Sequence, residues 1–169
     1  MLLGVVCGRV MPGVRLPGED VKMGNSIEAF IEYDRTLWFN PSAGDVPPFS
    51  TVPEAIDLTG YTLFRSGKDY NFFAAISGIR SQTGREPLYR PRGLPSPISS
   101  EAGRGFAEIF SPDYPGQGWL TLGEIESAVR HMGFTRDGLS LETNVVLEMM
   151  SYLERRLGQN RVRLVFGIE

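Results

Sequence analysis

The sequence predicts an α+β domain: a small antiparallel sheet packed with about three to four helices. Three observations predict it. A strand pattern lies near residues 27–33, a second one closes the chain at Arg161–Ile168, and helices with recognisable caps lie between them. Strands at both ends separated by helices do not make the strict β–α alternation of a parallel sheet.

Residues 1–22 stand apart. A short apolar run precedes Gly8, Met11-Pro12-Gly13 and Leu16-Pro17-Gly18. They form either an added edge strand and loop or a poorly ordered extension ahead of a single α+β domain spanning 23–169. The second reading is slightly the better. The run Met1-Leu2-Leu3-Gly4-Val5-Val6-Cys7 faintly resembles a lipoprotein signal but lacks its basic region and apolar length, so that reading is rejected. Cys7 is the lone cysteine, which removes an intramolecular disulfide and fits a reducing cytoplasm. No run approaches the roughly 20 apolar residues of a membrane helix.

Ile27, Ala29 and Ile31 alternate onto one face of the first strand. Asp34-Arg35 turns it into a hairpin with Thr36–Phe39, and 40–53 reads as a loop rich in Pro, Gly, Ser and Asp. Tyr61–Phe64 reads as a short strand. Asp69 is an N-cap for a helix over Tyr70–Ser77 that stops near Gly78. Residues 98–110 read as a helix capped by Ser99 or Ser100 and weakened by Gly103 and Gly105. Ser111 to Gly118 reads as a turn-rich loop. Thr121-Leu122-Gly123-Glu124 matches a capping box and opens a helix that ends at Gly133. Its inner face carries Leu122, Ile125, Val129 and Met132. Ser140 caps a longer helix through Leu157, with Val146, Met149, Met150, Leu153 and Leu157 inward. In the last strand Val162, Leu164 and Phe166 share a face, and it is expected beside residues 27–33.

The net charge of −3 is unevenly spread. From Arg80 to Arg104, five arginines face two acids, for +3, and the rest of the chain carries −6. The basic charge centres on Tyr89-Arg90-Pro91-Arg92-Gly93-Leu94-Pro95. Two prolines stiffen this loop and Gly93 permits positive φ or a close backbone approach. It presents Arg90 and Arg92 at low entropic cost, which suits an anionic ligand. An ordinary structural turn with surface arginines explains it about equally well.

The chain lacks a phosphate-binding Walker loop, a dinucleotide glycine fingerprint and a nucleophile elbow. His131 is the only histidine and sits in a last helical turn, where the helix dipole accounts for it. No metal site, cofactor or catalytic residue is expected. Glu28 and Glu32 share a strand face, which admits a paired-carboxylate hydrolase. A polar outer face of an antiparallel strand explains them better. The remaining candidate is a nucleotide pocket of arginine and aromatic residues: Arg65, Arg80, Arg90 and Arg92, with Asp69, Tyr89, Gly93 and Trp119.

Met23-Gly24-Asn25-Ser26-Ile27-Glu28, the run Arg65–Arg80, Pro91-Arg92-Gly93-Leu94-Pro95, Trp119-Leu120-Thr121-Leu122 and Arg163-Leu164-Val165-Phe166 occur in that order. Over about residues 23–169 the chain resembles a family of small bacteriophage and prophage proteins that often begin Met-Gly-Cys-Asp-Ile-His. Asn25, Ser26 and Glu28 stand where that family often has Cys, Asp and His. The resemblance implies a phage origin and puts any acid–base activity of the family in doubt for this chain. The leading expectation is a cytoplasmic counter-defence protein that sequesters a nucleotide immune signal, of the cyclic oligonucleotide or cyclic ADP-ribose type, without turning it over. Self-association is admitted, and neither a membrane nor a DNA or RNA polymer is expected as partner. A nucleotide or phosphoester hydrolase using Glu28, Glu32 and Asp69, or a protein-binding inhibitor of a host factor, are the alternatives.

Overall fold

The computed structural model describes residues 27–35, 47–58, 69–79, 81, 83–109 and 116–168. The expected N-terminal extension and the expected strands at 36–39 and 61–64 lie outside them. The fold is α+β, as the sequence predicts. Four antiparallel strands, β1 (Ile27–Tyr33), β2 (Glu54–Asp57), β3 (Gln117–Thr121) and β4 (Val162–Ile168), form one sheet in the order β2-β1-β4-β3. Among the described residues four α-helices accompany it: α1 (Tyr70–Ser77), α2 (Ser100–Ile109), α3 (Leu122–His131) and α4 (Leu141–Leu157). Among the described residues no helix is long and apolar enough to cross a membrane.

The helix boundaries follow from local chemistry. Asp69 accepts from the Phe72 amide, and Gly78 ends α1 at φ 75°. Ser99 caps α2 by accepting from the Ala102 amide, so the cap is Ser99 and the helix begins at Ser100. Thr121 and Glu124 form the full capping box of α3. Ser140 accepts from the Thr143 amide at the start of α4, and Gly158 closes it.

β1 and β4 pair along their whole length, from Ile27 opposite Ile168 to Tyr33 opposite Val162. Their alternation divides the sheet into two buried faces. Ala29, Ile31, Leu164 and Phe166 meet α1, α3 and α4 in the main core, which Phe72, Phe73, Ile125 and Met150 fill. Phe30, Val165, Ala102 and Phe106 form a second core under α2.

This second core corrects the expectation of a polar outer face for Glu28 and Glu32. The two carboxylates do share a face, but Glu32 is 0% exposed. A helix covers that face, because Phe30 and Val165 offer apolar surface between the charges. Gly105 allows the cover to sit close: a Cβ there would lie 2.7 Å from the Phe30 ring.

Two strands were not legible as such. β2 follows the expected loop and pairs with β1, Ile56 opposite Ile31. β3 takes in Gln117 and Gly118, which read as loop. Gly118 belongs in the strand because the Phe166 ring fills the space of its missing side chain, 2.9 Å from a Cβ.

Candidate functional site

The arginine-bearing loop wraps the free edge of β3. Tyr89 packs against the main core and Leu94 against the second, so the chain crosses from one face of the sheet to the other. Between them the Gly93 amide donates to the Gln117 carbonyl at 3.2 Å, with Gly93 at φ 72°. Arg92 Nε donates to the Trp119 carbonyl at 2.9 Å, and Nη2 meets Glu124 Oε2 at 2.6 Å. The guanidinium carbon also lies 3.7 Å from the centre of the Trp119 ring. An open strand edge is a template for unwanted pairing, and this loop occupies it.

The expected site residues therefore divide. Arg92, Gly93 and Trp119 do come together, but as partners of one another. Tyr89 is partly buried in the core. Arg90 is exposed and has no carboxylate partner among the described residues. Asp69 is committed twice, through Oδ1 to the Phe72 amide and Oδ2 to the Ser140 amide at 2.7 Å, tying α1 to the start of α4. Arg65 and Arg80 lie outside the described residues.

Replacing Arg92 by alanine should lower stability by about 1–2 kcal/mol, the sum of a half-exposed ion pair, one hydrogen bond and a cation–π contact. It should also raise aggregation on warming. Thermal unfolding with light scattering checks both, and an unchanged profile would mean the loop does not guard the edge.

On the second face, Glu32 and Arg163 pair beneath the cover. Arg163 Nε and Nη2 donate to Glu32 Oε2 at 2.8 and 2.7 Å, and Nη2 also donates to the Pro97 carbonyl. Glu32 Oε1 accepts the Ser99 amide at 2.7 Å. Phe49 stacks its ring 3.9 Å from the Arg163 guanidinium carbon. Burial pushes the Arg163 guanidinium below its ordinary value, and the Glu32 carboxylate opposes that shift. Glu32 is thus a structural anion, held away from solvent. Among the described residues no group of three or more His, Cys, Asp or Glu is placed to hold a metal ion.

A further open surface lies along α4. An apolar groove of about 610 Å³ runs beside the helix, lined by Ile56, Leu141, Val145, Met149, Tyr152 and Leu153. At the C-terminal end of α4 a cleft of about 210 Å³ adjoins it, sharing Tyr152 and Leu153 and adding Tyr33, Arg35 and Arg156. Arg35 Nη1 holds Glu54 at 2.8 and 3.0 Å, and the Tyr33 hydroxyl donates to the same carboxylate at 3.0 Å. Burial and the hydrogen bond to Glu54 push the Tyr33 phenol above its ordinary value, so it stays a donor. Arg156 sits 5.6 Å from the Tyr152 ring centre and has no carboxylate partner among the described residues. Two guanidinium groups and two phenol rings thus converge over an apolar floor.

The sequence reading missed this cleft. Arg35 and Arg156 are 121 positions apart, and only the pairing of β1 with β4, which follows α4, brings them together. The one local signal was Tyr152 followed four residues later by Arg156 on the same helical face. No family model, no curated protein and no solved structure matches the chain.

Proposed function

We propose that the protein binds a small anionic nucleotide and withholds it without turnover, with the ligand seated in the cleft between α4 and the end of β1. The observation that carries this reading is the Arg156 guanidinium set beside the Tyr33 and Tyr152 rings at one end of an apolar groove, with Arg35 there already held by Glu54. A guanidinium suits phosphate, and an aromatic face suits a base. The site differs from the one expected at Tyr89–Pro95, where Arg92 and Trp119 already satisfy each other. The resemblance to small phage proteins supplies the setting: capture of a cyclic oligonucleotide or a cyclic ADP-ribose derivative made by bacterial immunity. A sequestering protein needs affinity and no acid–base machinery.

The test is capture and release. Purified protein is incubated with cyclic di-AMP, cyclic di-GMP, cyclic ADP-ribose and ATP, washed, then denatured, and the released material is identified. Intact ligand supports sequestration, and converted ligand supports the hydrolase alternative. Arg156→Ala should weaken binding about ten- to a hundredfold, the weight of one charge-assisted hydrogen bond. Arg92→Ala should bind as the parent does. If no nucleotide is retained, the reading fails in favour of a protein-binding role, which the exposed apolar residues of α4 favour independently.

A further inference from the structure

The outer face of α4 is more apolar than a ligand cleft at one end requires. Leu141 is 76% exposed, Tyr152 52% and Val145 39%. At 100° per residue, Leu141, Val145, Glu148 and Tyr152 fall on one stripe, opposite the buried Val146, Leu147 and Met150. The stripe runs from Leu141 to Tyr152, about 16 Å of a 17-residue helix about 25 Å long. Exposed apolar residues grouped in this way, here with Glu148 among them, mark an interaction site.

The charges along the helix choose the occupant. The N-terminal half, 141–148, carries Glu142 and Glu148 and no basic residue, for −2. The C-terminal half, 149–157, carries Arg155 and Arg156 against Glu154, for +1. A second copy of this helix laid antiparallel sets Glu142 of each copy near Arg155 and Arg156 of the other, while Glu148, at the middle, is held by Arg136 of its own copy at 3.2 Å. A parallel arrangement sets like on like. Antiparallel alignment also opposes the two helix dipoles favourably. A surface complementary to its own reverse is what a two-fold, self-matching interface requires.

We propose that a second copy of this chain covers α4 in an antiparallel two-fold pair. In that pair the Leu141 end of each copy roofs the tyrosine–arginine cleft of the other. The roofing rests on the ligand reading above, whereas the pairing does not. One helical stripe about 16 Å long falls near the low end of specific interfaces, so the pair is in exchange with monomer.

Sedimentation of the full chain over a wide concentration range tests the pairing. The mean mass should rise from 18.7 kDa towards twice that value. Leu141→Glu should stay monomeric. This residue is the first of α4, where an acid favours the helix, so the variant keeps its fold. Val145→Asp should do the same. A parent that stays monomeric throughout, or variants that dimerise as it does, would overturn the pairing. For the roof, the affinity of cyclic di-AMP and cyclic ADP-ribose for Leu141→Glu should fall at least about tenfold below the parent. Equal affinity with a monomeric variant would overturn the roofing alone. Dimers that retain no nucleotide would sink the ligand reading and leave the pairing standing.

Discussion

Replacing Glu32 by alanine should destabilise the fold by about 3–5 kcal/mol, measured by urea unfolding followed by circular dichroism. Arg163 would be left 3% exposed with no counter-charge, which is costlier than never having had the pair. The Ser99 amide would lose its acceptor at the N-terminus of α2. Salt should change the loss little, because a buried pair is poorly screened. Glu32→Gln should fall between parent and alanine, since an amide oxygen still accepts from Ser99 without neutralising Arg163. The double variant Glu32→Leu with Arg163→Met should recover much of the loss, because both desolvation costs vanish together. It should not recover all of it, as the Ser99 amide and the Pro97 carbonyl remain without their side-chain partners. A loss below about 1 kcal/mol for Glu32→Ala would mean water reaches the pair and the cover is looser than its geometry.

This pair also draws in a strained residue. Phe49 adopts φ 58°, a left-handed conformation unfavourable for an aromatic side chain. Its amide donates to Asp34 Oδ2 at 2.8 Å, and Asp34 in turn holds Arg161 at 2.8 Å. The Asp34–Arg161 pair, just past the end of β1, thus holds the Phe49 backbone, and the Phe49 ring stacks on Arg163 of the neighbouring pair.

How much of this the sequence revealed depends on the range of each interaction. The caps at Asp69, Thr121–Glu124 and Ser140 were legible because donor and acceptor lie within three or four residues. The strands 27–33 and 161–168 were legible because their alternation is local, and their mutual pairing followed. β3 was hidden because Gly118 looks like a turn residue until the Phe166 ring is known to fill the space of its missing side chain. Glu32 was placed on the right strand face but assigned the wrong environment, since its partner Arg163 lies 131 residues away. Arg92 and Trp119 were both selected, and the fold brings them within 3.7 Å. Residue type does not reveal that a guanidinium and an indole have each other as ligand. The α4 groove was invisible for the opposite reason: its apolar positions resembled core positions, and only the packed structure shows which stripe is left over.

Replacing Phe106 by alanine should cost about 3–5 kcal/mol, as for other buried aromatic truncations. The effect should be uneven across the molecule. Phe106 meets Phe30 edge-on, with ring centres 5.4 Å apart, and among the described residues the second core adds to them Ala102, Val165 and a fringe of partly buried side chains. Ala102 is small, so among the described side chains of α2 Phe106 is the one large fully buried residue in that cluster. Hydrogen exchange should show α2 losing protection first, while α1, α3 and α4 keep theirs on the main core. Release of α2 would expose Phe30 and carry Ser99 away from Glu32, so the buried ion pair would meet water. Glu32→Ala should then cost less in the Phe106→Ala background than in the parent, giving a coupling of about 1–3 kcal/mol in a double-mutant cycle. Additive losses would show that the apolar cover and the ion pair beneath it stabilise the sheet separately.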